Sequence, residues 1–179
     1  MSLKHVVVLA VLVAAAVASE QVDFVNDLDH NLNFECPAGE VIKSIYSVHD
    51  DSTQDRRFKF GCGPPPKKVE PIKCEWTEGF VNHWDGPVMF MCPPNHLVAG
   101  VSSVHDNNYQ DRRMKFKCCR KPSFRTQSCY FTDYLNNWND PLDYTVPSGR
   151  VLAGWLSVHD NSAEDRRHRM VECRYGKNK

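Results

Sequence analysis

No apolar run in this chain is long enough to cross a bilayer. The run at residues 6–17 holds twelve residues and extends only to Ala18, whereas a helix needs roughly 20 to span the hydrocarbon. It follows Lys4 and gives way at Ala16-Val17-Ala18 to a polar Ser19-Glu20-Gln21, the pattern of a secretory signal. Residues 1–18 are expected to be a signal peptide, and residues 19–179 a single domain without membrane insertion. An excess of charge is also missing. Without the signal, 21 basic residues face 22 acidic ones, which argues against a nucleic-acid partner, since such domains carry surplus positive charge. There is no GxSxG, no HExxH and no lone cysteine beside a helper histidine, so no enzyme is expected. The chain also lacks a CxxC pair, an Asn-x-Ser/Thr sequon and any helical periodicity.

One eleven-residue phrase, by contrast, occurs three times. Residues 47–57 read SVHDDSTQDRR, residues 103–113 SVHDNNYQDRR, and residues 157–167 SVHDNSAEDRR. The likeness extends upstream, where CPAGEVIKSIYSVHD, CPPNHLVAGVSSVHD and VPSGRVLAGWLSVHD line up, and Trp84-Asp85 matches Trp138-Asn139 with Leu28-Asp29 in the same place. Three units result, at about residues 24–73, 74–128 and 129–175.

All eight cysteines follow the signal, and an even count in a secreted chain reads as disulfides. Counted from the Asp of DRR, Cys62 and Cys118 stand at +7, Cys119 and Cys173 at +8. The third unit has Val146 in place of the upstream cysteine and Glu172 at +7, so it lacks both together. The economical pairing is Cys36–Cys62, Cys92–Cys118, Cys74–Cys119 and Cys129–Cys173. Exchanging the partners of Cys118 and Cys119 is the alternative.

β-Branched residues at 41–48, 97–104 and 151–158 read as strands. Each is followed by an Asp/Asn/Ser cluster suited to a turn and then by a second strand, at 56–60, 112–116 and 166–170. The expected fold is all-β: three pseudo-symmetric β-hairpin repeats in one compact disulfide-bonded domain, either an open sandwich or a closed barrel. Strand parity places Arg56, Arg112 and Arg166 on the apolar side, where a guanidinium must be paired; Asp50, Asp106 and Asp160 are the expected partners. Arg57 and Lys59, Arg113 and Lys115, and Arg167 and Arg169 face outward as three cationic pairs, suited to sulfate or carboxylate. His49, His105 and His159 are ligands of the right type for one zinc, and the turn oxygens suit Ca2+, but ordinary turn roles account for both, and no metal or cofactor is expected. Trp76, Trp84, Trp138 and Trp155 suit either packing or a sugar face.

The strings Asp55-Arg56-Arg57-Phe58-Lys59-Phe60, Asp111-Arg112-Arg113-Met114-Lys115-Phe116 and Asp165-Arg166-Arg167-His168-Arg169-Met170, with Cys118-Cys119-Arg120, resemble the dermatopontin family over residues 23–175. That family has Glu or Gln and then Trp after Asp-Arg, where this chain has Arg and then Phe, Met or His. The resemblance implies a protein of extracellular matrix or cell surfaces, with agglutination or matrix assembly as the outcome. The functional expectation is therefore multivalent binding of acidic or sulfated glycans, on proteoglycans or cell-surface carbohydrate, with other matrix proteins as further partners. The alternative is a purely structural matrix protein whose motif only holds the fold.

Overall fold

The computed structural model describes residues 23–66, 73–122 and 124–177. The expected signal peptide lies outside the described residues. Eleven strands are present: β1 (Leu32–Glu35), β2 (Val41–Asp50), β3 (Asp55–Gly63), β4 (Lys73–Trp76), β5 (Val88–Met91), β6 (His96–Asp106), β7 (Asp111–Arg120), β8 (Phe124–Phe131), β9 (Leu142–Thr145), β10 (Arg150–Asp160) and β11 (Asp165–Lys177). There is no helix among the described residues. The three repeated phrases form the hairpins β2/β3, β6/β7 and β10/β11. Their strands run further than the β-branched residues suggest, because the His-Asp pairs stay in the ladder and His49 faces Arg56. Only four residues remain at each tip.

Every strand pairing is antiparallel, and three sheets result: β1-β6-β7-β4, β5-β10-β11-β8 and β3-β2-β9. The short strand before each hairpin leaves its own unit to pair with another. β1 joins β6, β5 joins β10, and β9 of the third unit returns to β2 of the first. These pairings form a closed cycle, consistent with the pseudo-symmetry expected of the repeats. They need close backbone approach. A Cβ on Gly154 would collide with the Phe90 carbonyl, and one on Gly100 would stand 2.9 Å from that of Phe34.

A bulge early in each hairpin, between Ile42 and Ser44, Val98 and Gly100, and Leu152 and Gly154, resets the alternation of faces. Ile42, Val98 and Leu152 enter the main core with Leu32, Ile45, Phe58, Phe116, Trp155 and Met170. Val41, Leu97 and Val151, one residue earlier, enter a second cluster with Ala99, Ala153 and Tyr175. Both faces at the base of each hairpin are thus buried.

The bridges join Cys36 to Cys62, Cys92 to Cys118, Cys74 to Cys119 and Cys129 to Cys173. Neighbouring Cys118 and Cys119 point to opposite faces of β7, so each serves a different bridge. In the chain-entropy picture each contributes about 3–4 kcal/mol. The third hairpin has hydrogen bonds where its bridge is missing. Glu172, 2% exposed, accepts from the Tyr130 hydroxyl at 2.5 Å and the Tyr144 hydroxyl at 3.0 Å. Burial, with the Glu172 charge next, pushes Tyr144 far above the usual phenol range.

Candidate functional site

The first arginine of each DRR is buried, and its partner differs from the expectation. Arg56 reaches Asp165 through Nε (2.5 Å) and Nη2 (2.7 Å). Arg112 grips Asp55 in the same fork, and Arg166 grips Asp111. Each pair joins two different hairpins, so the three pairs close a ring through the molecule. Each arginine also donates to a carbonyl from a third place: Asp140, His30 or Gly86. Each aspartate accepts one more hydrogen bond, from the backbone N–H of Asp29, Asp85 or Asn139. Those three residues adopt positive φ, between 56° and 62°, a conformation that Asn and Asp tolerate best after Gly. Burial alone would raise the Asp165 carboxyl, but the His49 ring, the Arg56 fork and the Asn139 N–H hold it well below the usual carboxylate range.

Asp50, Asp106 and Asp160 are therefore not the arginine partners. Asp50 Oδ1 accepts from the N–H groups of Ser52 and Thr53, Asp106 from Asn108, and Asp160 from Ser162 and Ala163. An aspartate that opens a turn meets the N–H groups two and three residues on before it can meet a distant guanidinium. Simple parity also fails at Asp55, Asp111 and Asp165. They begin their strands and are buried beside Arg56, Arg112 and Arg166 because each faces another hairpin.

The three histidines do not gather at one point. His49 lies between Asp165 (3.3 Å) and Asp51 (3.4 Å), and His105 between Asp29 (3.5 Å) and Asp55 (3.8 Å). His159 lies between Asp85 (3.6 Å) and Glu164 (3.8 Å). Each side chain is about 1% exposed. Among the described residues, Asp29, Asp55 and His105 form one group of metal-ligating type, and Asp85, Asp111 and His159 another. The Asp55 and Asp111 carboxylates, however, already meet the Arg112 and Arg166 guanidiniums, which supply the positive charge a cation would bring. These groups are organised as ion pairs between hairpins.

The expected outward cations are half-buried over aromatic rings, rather than standing free on a strand face. Arg57 and Lys59 each lie 4.4 Å from the Phe24 ring centre. Arg113 lies 4.5 Å from Phe80 and 5.5 Å from Trp84, and Lys115 5.1 Å from Phe80. Arg167 lies 4.1 Å from Tyr134 and 5.6 Å from Trp138, and Arg169 5.6 Å from Tyr134. Arg113 and Arg167 use Nε to reach the Asn82 and Asn136 carbonyls. The stacking holds each guanidinium plane in place. Among the described residues, the Nη atoms of Arg57, Arg113 and Arg167 make no hydrogen bond.

Three asparagines escaped the sequence reading. Asn26, Asn82 and Asn136 are buried. Each donates to the carbonyl of the first DRR arginine and accepts from the N–H two residues later. Their amides thus stand in for a neighbouring strand and carry the aromatic segment against the hairpin. Their constant place, thirty residues before that arginine, was the available signal. The cavity lined by the three buried arginines and their aspartates measures about 30 Å³. That is room for a water or two, not a sugar.

Fold and site together define a disulfide-stapled, all-β protein built from interlocked hairpins, with a cation–aromatic cluster on each. The family model described as dermatopontin matches residues 26–177, and the chain belongs to the dermatopontin family. It is 41% identical over 153 residues to the hemagglutinin/amebocyte aggregation factor of Limulus polyphemus, covering 84% of this chain and 87% of that one. It is 33% identical to the dermatopontin of Biomphalaria glabrata, covering 84% and 99%. Human dermatopontin is 29% identical over 163 residues, covering 85% and 79%. No solved structure matches the chain.

Proposed function

We propose that this chain is a secreted, non-catalytic adhesive protein of matrix or cell surfaces that grips acidic or sulfated glycans at several places at once. The observation that carries the reading is the recurrence of one arrangement on all three hairpins. A second DRR arginine and the basic residue two places on lie over an aromatic ring at Phe24, Phe80 or Tyr134. A guanidinium already immobilised by stacking loses little freedom on meeting a sulfate or carboxylate, and its fork matches such oxygens. Three modest contacts on one rigid body multiply on a polyvalent partner. The Limulus relative's name, a hemagglutinin and aggregation factor, agrees with such multivalency.

The second reading is a structural matrix protein. It is favoured by the fate of the most faithfully repeated residues, since the His-Asp and Asp-Arg pairs are absorbed into ion pairs and turns. One experiment separates the two. Reversing Arg57, Arg113 and Arg167 together to Glu should abolish heparin retention and cell agglutination while moving the melting temperature by only a few degrees. Retention that survives the triple change leaves the structural reading. Binding should also fall steeply between 0.1 and 0.5 M salt, as screening demands (a Debye length of about 10 Å at 0.1 M).

A further inference from the structure

The second and third hairpin tips close with the same backbone hydrogen bond but carry different side chains. Tyr109 N–H donates to the Asp106 carbonyl at 3.1 Å, and Ala163 N–H to the Asp160 carbonyl at 3.2 Å, so the two residues occupy the same place in their turns. Trp84 and Trp138 are equivalent as well. Each stands 29 residues before the second DRR arginine, and the arginine lies 5.5 Å and 5.6 Å from the respective ring centres. In the second hairpin Tyr109 stacks on Trp84, with ring centres 5.4 Å apart and planes 7° from parallel. In the third hairpin the residue in Tyr109's place is Ala163, whose single methyl cannot cover an indole. In the first, Leu28 and Thr53 replace both partners.

We infer that the third hairpin carries a ring-sized slot over Trp138 that takes one pyranose ring of an acidic glycan, in the place that Tyr109 fills over Trp84. The chain itself thus shows what fits: a flat six-membered ring lying parallel to the indole. A pyranose presents such a face of C–H groups, and their slightly positive hydrogens meet the negative face of the indole. The surroundings suit a sugar better than an aromatic side chain. Asn137 precedes Trp138, and Asn161 and Ser162 precede Ala163; all three are exposed, and their polar atoms not engaged by Asp140 or His159 offer hydrogen bonds to hydroxyls. Arg167, beside Trp138, brings a positive charge to a carboxylate or sulfate on the ring or its neighbour. This rests on the glycan reading above and adds to it a site for one particular ring. The three cationic clusters supply attraction that does not depend on which ring arrives; the slot supplies recognition of the ring.

The test uses the mature protein and a heparin-derived hexasaccharide, titrated by tryptophan fluorescence at 0.5 M NaCl, where charge contacts are largely screened and stacking persists. Ala163→Tyr fills the slot from within and is expected to weaken this salt-resistant binding roughly tenfold, the upper range for one lost aromatic contact, while retention on heparin at low salt changes little. Tyr109→Ala uncovers Trp84 and is expected to add a second salt-resistant equivalent per chain. Circular dichroism and melting of both variants establish that they fold. If Ala163→Tyr leaves the salt-resistant binding unchanged while reversal of the three arginines still abolishes heparin retention, the slot falls and the cationic reading stands. If Ala163→Tyr instead disperses an oligomer without altering hexasaccharide affinity, the slot belongs to a second copy of the chain and the inference is overturned. Heparin retention that survives the arginine reversal removes the broader reading on which the slot depends.

Discussion

Two arginines side by side in each repeat lead different lives. Arg112 is 5% exposed and spends Nε, Nη1 and Nη2 on Asp55, Ser103 and the His30 carbonyl. Removing it leaves a buried carboxylate without its counter-ion, so Arg112→Ala should cost about 3–5 kcal/mol. Arg113→Ala removes a half-exposed cation over two rings and should cost about 1 kcal/mol or less. Urea unfolding of the two variants checks the contrast, and equal losses would mean that the ring of ion pairs does not hold the hairpins. His168 replaces the Phe58 and Met114 of the other hairpins. It accepts a hydrogen bond from Trp155 Nε1 at 3.0 Å. Burial, with the Arg56 charge next, lowers its pKa to about 3. An unfolded histidine takes a proton near pH 6.5, whereas the folded one does not until about pH 3. The unfolded state therefore binds more protons between these values, and stability should fall as pH drops from 6.5 towards 3. His168→Phe should flatten that slope by close to one proton, measured as unfolding free energy against pH, whatever it does to stability at pH 7.

At the scale of strands and bridges, the sequence was most informative where contacts are local or where the repeats differ. The β-branched runs and Asp/Asn clusters marked the hairpins, because strand and turn preferences act within a few residues. The joint absence of cysteine at Val146 and Glu172 marked which sulfurs belong together. What stayed hidden was contact between units. Nothing near Arg56 in sequence points to Asp165, 109 residues away, and a periodic sequence cannot say which copy a side chain will meet. The same comparison of repeats shows how the third hairpin manages without its bridge. Val146 and Glu172 are 26 residues apart, the separation of both Cys36–Cys62 and Cys92–Cys118. Tyr144 stands where the other units have Phe34 and Phe90. Glu172→Ala alone should leave the buried Tyr144 hydroxyl unpaired, at about 1–3 kcal/mol. Val146→Cys with Glu172→Cys and Tyr144→Phe should instead close a fifth bridge and stabilise the fold by about 3 kcal/mol. Peptide mapping and thermal melting check both bond and gain.

For the molecule as a whole, the decisive feature is that no hairpin is complete alone. β9, the first strand of the third unit, closes back onto β2 of the first, and the ring of charges closes only with the last hairpin, with Arg56 waiting for Asp165 and Asp111 for Arg166. A fragment ending at residue 128 would retain two hairpins and three of the four bridges, Cys36–Cys62, Cys74–Cys119 and Cys92–Cys118. It would nonetheless bury or expose an unpartnered arginine at Arg56 and an unpartnered aspartate at Asp111, strip β2 of its edge partner, and open the core where Trp155, Leu142 and Met170 belong. Disulfides narrow the unfolded ensemble but cannot replace those contacts. The fragment should therefore lack a cooperative melt and lose its near-ultraviolet dichroism, whereas the full chain should melt in a single transition. A cooperative transition in the fragment would show that the units fold one by one and that the cyclic pairing is an addition to them. Interlocking of this kind also bears on adhesion. A body that cannot come apart one repeat at a time keeps its three cationic clusters at set distances, so on the proposed function a polymer held at one cluster would meet the next without first having to order it.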